Sequence, residues 1–127
     1  MINILLVGFG GFVGSVLRYT VSGYVQQSVG TLDFPYGTLA VNVLGCFIIG
    51  FLSQLAESRG VFTSESRLFV FTGFLGGFTT FSSFGNETLN LVRDSQAMNA
   101  FANVGTNLVI GLFAVWLGRT LAYLVWR

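Results

Sequence analysis

Four nearly uncharged stretches, each long enough to cross a lipid bilayer, constrain the fold of this chain more than any other feature. They lie at about 2–25, 34–56, 68–92 and 96–126 of the 127 residues. A membrane-spanning helix needs about 20 predominantly apolar residues, because the hydrocarbon layer of a bilayer is about 30 Å thick. We therefore predict an all-α membrane protein with four transmembrane helices, formed as a single domain over residues 1–127.

The composition excludes several functional classes. Only 9% of the residues are charged, which is too few to coat a soluble domain. All basic residues are arginine and the net charge is +1, so we expect no nucleic-acid partner. Without histidine, a Ser-His-Asp hydrolase is excluded, and we expect no enzyme. The only cysteine, Cys46, cannot form an intrachain disulfide and is interpreted as a small packing residue.

The third uncharged stretch has a composition that is unsuited to a continuous membrane helix. Its segment 73–84 reads GFLGGFTTFSSF, with three glycines and four hydroxyl side chains. Irregular backbone at membrane depth is tolerated only where it is buried in protein or lines a wet cavity. We predict a break at Gly76–Thr79, a helix that resumes over Phe81–Phe84, and a transport pathway beside it.

The arginines give only a weak bias between the two ends of the spans. Four crossings place both termini on one side of the membrane. Arg59, Arg67, Arg119 and Arg127 would lie toward that side, and Arg18 and Arg93 toward the other. Since Arg18 and Arg119 fall inside spans, the usable difference is about two charges. Such a weak bias allows insertion in both orientations with pairing as an antiparallel dimer, or one orientation fixed by an insertase or a partner.

Glycines four residues apart within two of the spans favour close helix packing. The patterns are Gly10-x-x-x-Gly14 in the first span and Gly73-x-x-x-Gly77 in the third. Small residues at this spacing let two backbones approach closely. They indicate a compact bundle or dimer, and a dimer is favoured because four helices enclose little space.

Two phenylalanines are candidates for the wall of an anion pathway. Phe81 and Phe84 are three residues apart and share one face of the resumed helix. The edge of an aromatic ring is weakly positive, so it attracts an anion without trapping it. Packing or lipid contact is the alternative for these rings.

Asn42 lies in the middle of the second span. An unpaired amide is costly in hydrocarbon, so this one must face protein, water or a permeant species. Its NH₂ group can donate to an anion, and an interhelical hydrogen bond is an equal alternative.

On the fourth span Asn107 and Asn103 form a polar stripe. Arg18 either extends to the membrane interface or draws anions into a vestibule.

A break in the third span can also hold a cation. Unwound backbone carbonyls near the centre of a membrane coordinate small cations. If two copies met at Gly76–Thr79, their carbonyls could surround one Na⁺ without any histidine or cysteine.

Three motifs together resemble the Fluc (CrcB) family of fluoride channels. They are GGFVGSVLRY at 10–19, GTLAVN at 37–42 and GFLGGFTTFSSF at 73–84. The resemblance covers nearly the whole chain, and the third motif is its most specific part. It implies a passive fluoride channel that confers fluoride resistance, inserted in both orientations in the cell inner membrane as an antiparallel homodimer with two pores.

The resemblance also implies roles for particular residues. Asn42, Phe81 and Phe84 would line the pore, and Ser83 would supply the hydroxyl between the two rings. The backbone carbonyls of Gly76 and Thr79 would hold a structural Na⁺ at the dimer centre. Fluoride and membrane lipid are the other implied partners.

The chain departs from the family pattern on the fourth span. Many members of the family it resembles keep hydroxyl side chains at two positions where this chain has Gly111 and Val115, so Asn107 is a candidate substitute donor. The main alternative function is a proton-coupled exporter of the small multidrug resistance type. That chemistry needs a carboxylate in the first span, and none occurs between Met1 and Tyr24.

Overall fold

The computed structural model describes residues 1–126, and the regular secondary structure over that range is all helical, with no strand. Four spans are long and apolar enough to cross a membrane: Ile2–Val29 (α1), Tyr36–Arg59 (α2), Ser64–Arg93 and Ala97–Val125 (α6). The prediction of an all-α, multi-pass membrane protein is confirmed. Arg127, which was included in the charge count, lies outside the described residues.

The third span is composed of several helical pieces. Ser64–Arg67 (α3) leads into a π-helical segment, Leu68–Leu75, which is followed by Gly76–Phe78 (α4) and Phe81–Arg93 (α5). Between α4 and α5 the backbone of Thr79 and Thr80 is extended, with φ/ψ of −88°/160° and −150°/114°. The break was predicted at Gly76–Thr79, but Gly76–Phe78 is helical and the extended residues are Thr79 and Thr80.

Two helices continue past the uncharged stretches from which their spans were predicted. α1 runs to Val29 and α2 to Arg59, whereas the predicted ends were at 25 and 56. Each helix stops at a glycine in the left-handed conformation, Gly30 with φ 72° and Gly60 with φ 59°. Hydropathy marks the membrane crossing, but these C-cap glycines mark the ends of the helices.

Glycines bring the backbone of α1 against that of the third span. Gly10 and Gly14 are buried, and a Cβ atom built on Gly14 would collide with the carbonyl oxygen of Phe74. From the other side, a Cβ on Gly77 would lie 2.6 Å from the carbonyl oxygen of Gly11. Such contacts maximise dispersion between helices, which is the main attraction available in lipid.

α2 occupies the centre of the bundle and packs along α6. A Cβ on Gly50 would collide with the backbone of Val115, and one on Gly118 would collide with the carbonyl oxygen of Phe47. α2 also contacts α1 and the pieces of the third span. The polar residues in the middle of α2 can therefore reach the other helices.

Replacing Gly14 with alanine should destabilise the protein. The new methyl group would collide with the backbone carbonyl oxygen of Phe74, which has no freedom to move aside. We expect Gly14→Ala to cost about 1–3 kcal/mol, measured as a lower melting temperature by circular dichroism in detergent. Gly23→Ala is the matched control, since nothing lies within 4 Å of its Cβ position on the same helix. Equal melting temperatures for the two variants would contradict this packing.

Candidate functional site

A cavity of about 370 Å³ lies where α2, α6 and the extended residues of the third span meet. Six of the predicted site residues line it: Asn42, Gly76, Thr79, Phe81, Phe84 and Asn107. Thr80 also lines it, and none of its lining residues is ionisable except Cys46. We call it the central cavity. The structure thus brings together residues from three helices that are far apart in the sequence.

The other two predicted site residues line a second, more polar cavity. This cavity, of about 300 Å³, is lined by Arg18 and Ser83 together with Thr38 and Glu87. We call it the arginine cavity. Thr80 lines both cavities, so this one residue lies in the wall between them.

Asn42 binds both backbone groups of Thr80. Its Oδ1 accepts from the Thr80 N–H at 2.8 Å, and its Nδ2 donates to the Thr80 carbonyl at 3.1 Å. A side-chain amide replaces the backbone partners that a continuous helix would supply, which satisfies the extended residue inside the bundle. Of the alternatives for Asn42, the interhelical hydrogen bond is present in the structure.

The side chain of Thr80 caps the helix that follows. Its Oγ1 accepts from the backbone N–H of Ser83 at 3.2 Å, and its hydroxyl donates to Ser83 Oγ at 3.0 Å. Threonine in an extended conformation is a favoured N-cap, because its oxygen pairs with a free N–H in the first turn. The hydroxyl of Ser83 is therefore engaged with Thr80, at the margin of the arginine cavity.

These two contacts release the carbonyls of Gly76 and Thr79 from helical hydrogen bonding. In a continuous α-helix the Gly76 carbonyl would accept from the Thr80 N–H, and the Thr79 carbonyl from the Ser83 N–H. Both of those N–H groups donate elsewhere, to Asn42 Oδ1 and to Thr80 Oγ1. Two carbonyl oxygens without their helical donors are therefore present on one short segment.

The two candidate phenylalanines lie side by side at the cavity. The ring centroids of Phe81 and Phe84 are 5.5 Å apart with planes inclined by 54°. The Phe81 side chain is 81% exposed, although it follows a buried threonine. A large ring that projects from the first turn of α5 is available to a neighbouring molecule.

Asn107 connects α6 to this site. Its Oδ1 accepts from Asn42 Nδ2 at 3.1 Å, and its Nδ2 donates to the carbonyl and to Oδ1 of Asn103, at 2.9 and 3.0 Å. Asn103 is completely buried and donates to Thr88 Oγ1 at 2.9 Å. The polar stripe on α6 indicated that the two asparagines lie together, but no sequence pattern pointed to Thr88.

Gly111 and Val115 line neither cavity. A Cβ atom on Gly111 would lie 3.5 Å from the Cys46 sulfur, and the backbone of Val115 contacts Gly50. Both positions therefore pack against α2. No hydroxyl group reaches either cavity from these two positions.

Arg18 and Glu87 both line the arginine cavity without pairing with each other. The salt bridges among residues 1–126 join Arg93 to Asp94 and Arg119 to Glu57, so Arg18 has no acidic partner there. Glu87 accepts from the Thr38 hydroxyl at 2.7 Å, and its other carboxyl oxygen is buried without a partner. Glu87 is thus bonded within the bundle, and Arg18 is in no ion pair among residues 1–126.

The fold and the site define a class of protein: a small multi-pass membrane protein with two adjoining cavities in its helical bundle. Residues 5–119 match the family described as CrcB-like protein, Camphor Resistance (CrcB). The chain belongs to this family.

Several relatives are similar to this chain over most of their length. The chain is 44% identical to the fluoride-specific ion channel FluC 1 of Methanosarcina acetivorans, over 94% of this chain and 89% of the relative. It is 52% identical to the fluoride-specific ion channel FluC of Opitutus terrae, over 93% and 90%. It is 51% identical to the fluoride-specific ion channel FluC of Chlorobaculum tepidum, over 98% and 97%. The predicted family is therefore confirmed.

Removing the Asn42 amide should destabilise the irregular segment. Asn42→Ala leaves the N–H and carbonyl of Thr80 without partners, and each unpaired buried group costs about 1–3 kcal/mol. We expect a clear fall in melting temperature in detergent, with Asn86→Ala, at an exposed position on α5, as the control. If Asn42→Ala melts as the wild type does, the pairing with Thr80 is not important for stability.

Proposed function

We propose that this chain is a passive, fluoride-selective ion channel that exports fluoride across the cell inner membrane. The observation that carries the proposal is the lining of the central cavity, where amide, hydroxyl and aromatic groups meet without a charged side chain. A selective pore must replace the water of a strongly hydrated ion at close quarters and yet release it. Neutral donors and ring edges suit that task, and relatives over nearly the full chain bear the name of fluoride-specific channels.

An anion would enter through the arginine cavity and leave through the central one. Arg18 would raise the local anion concentration without holding the ion in an ion pair. Ser83 and Thr80 lie between this entrance and Asn42, so hydroxyl groups precede the amide along the path. The rings of Phe81 and Phe84 would then line the passage. Asn107 approaches from α6 at the same level as Asn42.

The proton-coupled exporter is not favoured. The third span carries one carboxylate that lines a cavity, Glu87, and this group is hydrogen-bonded to Thr38. The first span has no carboxylate between Met1 and Tyr24. A proton-coupled exporter needs a carboxylate that binds a proton and the substrate in turn, whereas a channel needs no such carboxylate. Fluoride would instead move down its electrochemical gradient, as expected of a channel rather than an enzyme.

A second copy of the chain would complete the protein as an antiparallel homodimer with two pores. Gly76 is exposed, and its carbonyl has lost its helical donor. Lipid cannot satisfy a free carbonyl, so polar groups or an ion must cover this surface. The exposed Phe81 ring lies close by in sequence and would reach the same partner.

A sodium ion fits the centre of such a dimer. The carbonyls of Gly76 and Thr79 are the two whose helical donors are engaged elsewhere, and hard cations such as Na⁺ take oxygen ligands. Two copies related by a twofold axis would supply four such oxygens. Bound Na⁺ would neutralise their partial charges and hold the two breaks together. Because the arginines bias the orientation only weakly, the chain would insert in both orientations, and this would supply the two oppositely oriented copies of the dimer.

The proposed function is tested directly by efflux from liposomes. Purified protein in fluoride-loaded liposomes should release fluoride rapidly once a potassium ionophore balances charge, and chloride should leave barely faster than from empty liposomes. A fluoride electrode follows the release. Folded protein that releases no fluoride, or releases both halides equally, would refute a fluoride-selective channel.

Substituting the phenylalanines should stop conduction without unfolding the protein. We expect Phe81→Ile and Phe84→Ile each to slow fluoride efflux by more than about tenfold, where tenfold corresponds to about 1.4 kcal/mol in the barrier. Phe12→Ile, at an exposed position on α1, is the matched control and should conduct normally. Normal efflux from both site variants would place the pathway away from these rings.

Sodium should stabilise the assembled protein. We expect a dimer by light scattering in NaCl and a rise in monomer when N-methylglucamine replaces Na⁺ at constant chloride, because the freed carbonyls would then face each other without a cation. Potassium chloride at equal concentration controls for ionic strength. A dimer equally stable in all three salts would argue against a sodium site.

A further inference from the structure

One chain of hydrogen bonds runs through α5, α2 and α6 in a single direction. It begins at the backbone N–H of Thr80 and ends at the backbone carbonyl of Phe84, and every link passes from donor to acceptor. The links are Thr80 N–H to Asn42 Oδ1 (2.8 Å), Asn42 Nδ2 to Asn107 Oδ1 (3.1 Å), Asn107 Nδ2 to Asn103 Oδ1 (3.0 Å), Asn103 Nδ2 to Thr88 Oγ1 (2.9 Å), and Thr88 Oγ1 to Phe84 O (2.7 Å).

The direction of this chain is determined by its backbone ends. A backbone N–H can only donate, so Asn42 must turn its oxygen to Thr80 and its NH₂ toward Asn107. Asn107 must then turn its oxygen to Asn42 and its NH₂ toward the carbonyl of Asn103. The Phe84 carbonyl can only accept, which sets the Thr88 hydroxyl at the other end.

In this arrangement Asn42 has no hydrogen left for an anion. Its NH₂ group carries two hydrogens, one directed at the Thr80 carbonyl and one at Asn107 Oδ1. An anion in the central cavity can bind this amide only by displacing one of these two acceptors.

Asn107 is the acceptor that can leave. The Thr80 carbonyl belongs to a pair of bonds that Asn42 makes with one backbone residue, and losing it would disturb the extended segment. Asn107 Oδ1 is at the end of a side chain that lines a cavity of about 370 Å³, so it has space to move. The NH₂ group of Asn107 donates to the carbonyl and Oδ1 of Asn103 one turn earlier on α6, so Asn103 tethers the side chain.

We propose that the Asn107 carboxamide oxygen occupies the place of the permeating anion on Asn42, and that the anion binds there by displacing it. This inference depends on the proposed function and names a residue that sets the affinity for the anion within the same path. A hydrogen bond to a charged acceptor is stronger than one to a neutral amide oxygen. A small anion therefore displaces Asn107 readily, and Asn107 returns when the anion leaves.

The exchange lowers the free-energy cost of anion binding to Asn42 and of anion release from it. Asn42 never presents an unpaired donor inside the membrane, because one acceptor replaces another. The bound ion is also released more easily, because Asn107 competes for the same N–H. Asn103 and Thr88 act as positioning residues, since they hold Asn107 from behind and so determine how strongly it competes.

Asn107→Leu tests the exchange, because it removes the competing oxygen at nearly constant volume. We expect the half-saturating fluoride concentration of the current in planar bilayers to fall by roughly three- to tenfold, the equivalent of one freed hydrogen bond. Asn107→Asp keeps a competing acceptor and adds negative charge, so we expect the half-saturating concentration to rise. A rise in Asn107→Leu would show that Asn107 is instead a donor to the anion. That rise, or no change, would overturn the proposal.

Thr88 supplies a second test that leaves the cavity lining unchanged. Thr88→Val removes the acceptor of Asn103 and loosens the chain, so the half-saturating concentration should fall by less than in Asn107→Leu. Thr88→Ser restores the hydroxyl and should reverse most of that fall. Thr106→Val is the control, because this neighbouring hydroxyl on α6 bonds only to its own helix.

A purely structural role for Thr88 would give a different result. It would lower the melting temperature and the number of active channels in Thr88→Val and leave the half-saturating concentration as in the wild type. That result would also overturn the proposal. A wild-type protein without any fluoride current would refute the proposed function together with this inference. If the wild type conducts fluoride and Asn107→Leu has the same half-saturating concentration, this inference alone is refuted.

Discussion

The pairing of Asn42 with the backbone of Thr80 is the interaction on which the rest of the site depends. It satisfies an extended residue inside the bundle, and in doing so it withdraws the N–H that would have bonded the Gly76 carbonyl. Gly45, one turn further along α2, provides the space for this contact, because a Cβ there would collide with the methyl group of Thr79. One amide on α2 therefore controls the course of the third span, the free carbonyls and the polar chain to α6.

Thr80 also separates two environments with different electrostatics. On one side is the arginine cavity, where Arg18 has no acidic partner among residues 1–126, and on the other is the central cavity with neutral polar and aromatic groups. In the proposed pathway, the charge of Arg18 would attract an anion at the entrance, and neutral donors would bind it where tight binding would stop conduction. This order of groups follows from how α1, α2 and α5 pack, since Arg18 and Asn42 are on different helices.

Much of the fold was predictable because the membrane imposes a simple rule. Uncharged stretches of sufficient length must become helices that cross the bilayer, and all four did. The ends of α1 and α2 were less predictable, because Gly30 and Gly60 stop the helices beyond the uncharged stretches. The candidate residues were also recognisable by type, since an amide such as Asn42 is too costly in a span to be without a partner or a function.

The sequence by itself determined the class of protein, the four spans, the family and the residues that a pathway could use. Only the tertiary structure decided how those residues are connected. Asn42 meets Thr80 across 38 positions of the chain and Asn107 across 65, and no local pattern encodes contacts at such separations. Which donors are free depends on these partners, because an amide has a fixed number of hydrogens. Asn42 could therefore be identified as a candidate from its position in the sequence, but the occupation of both its N–H groups followed only from the packing of three helices.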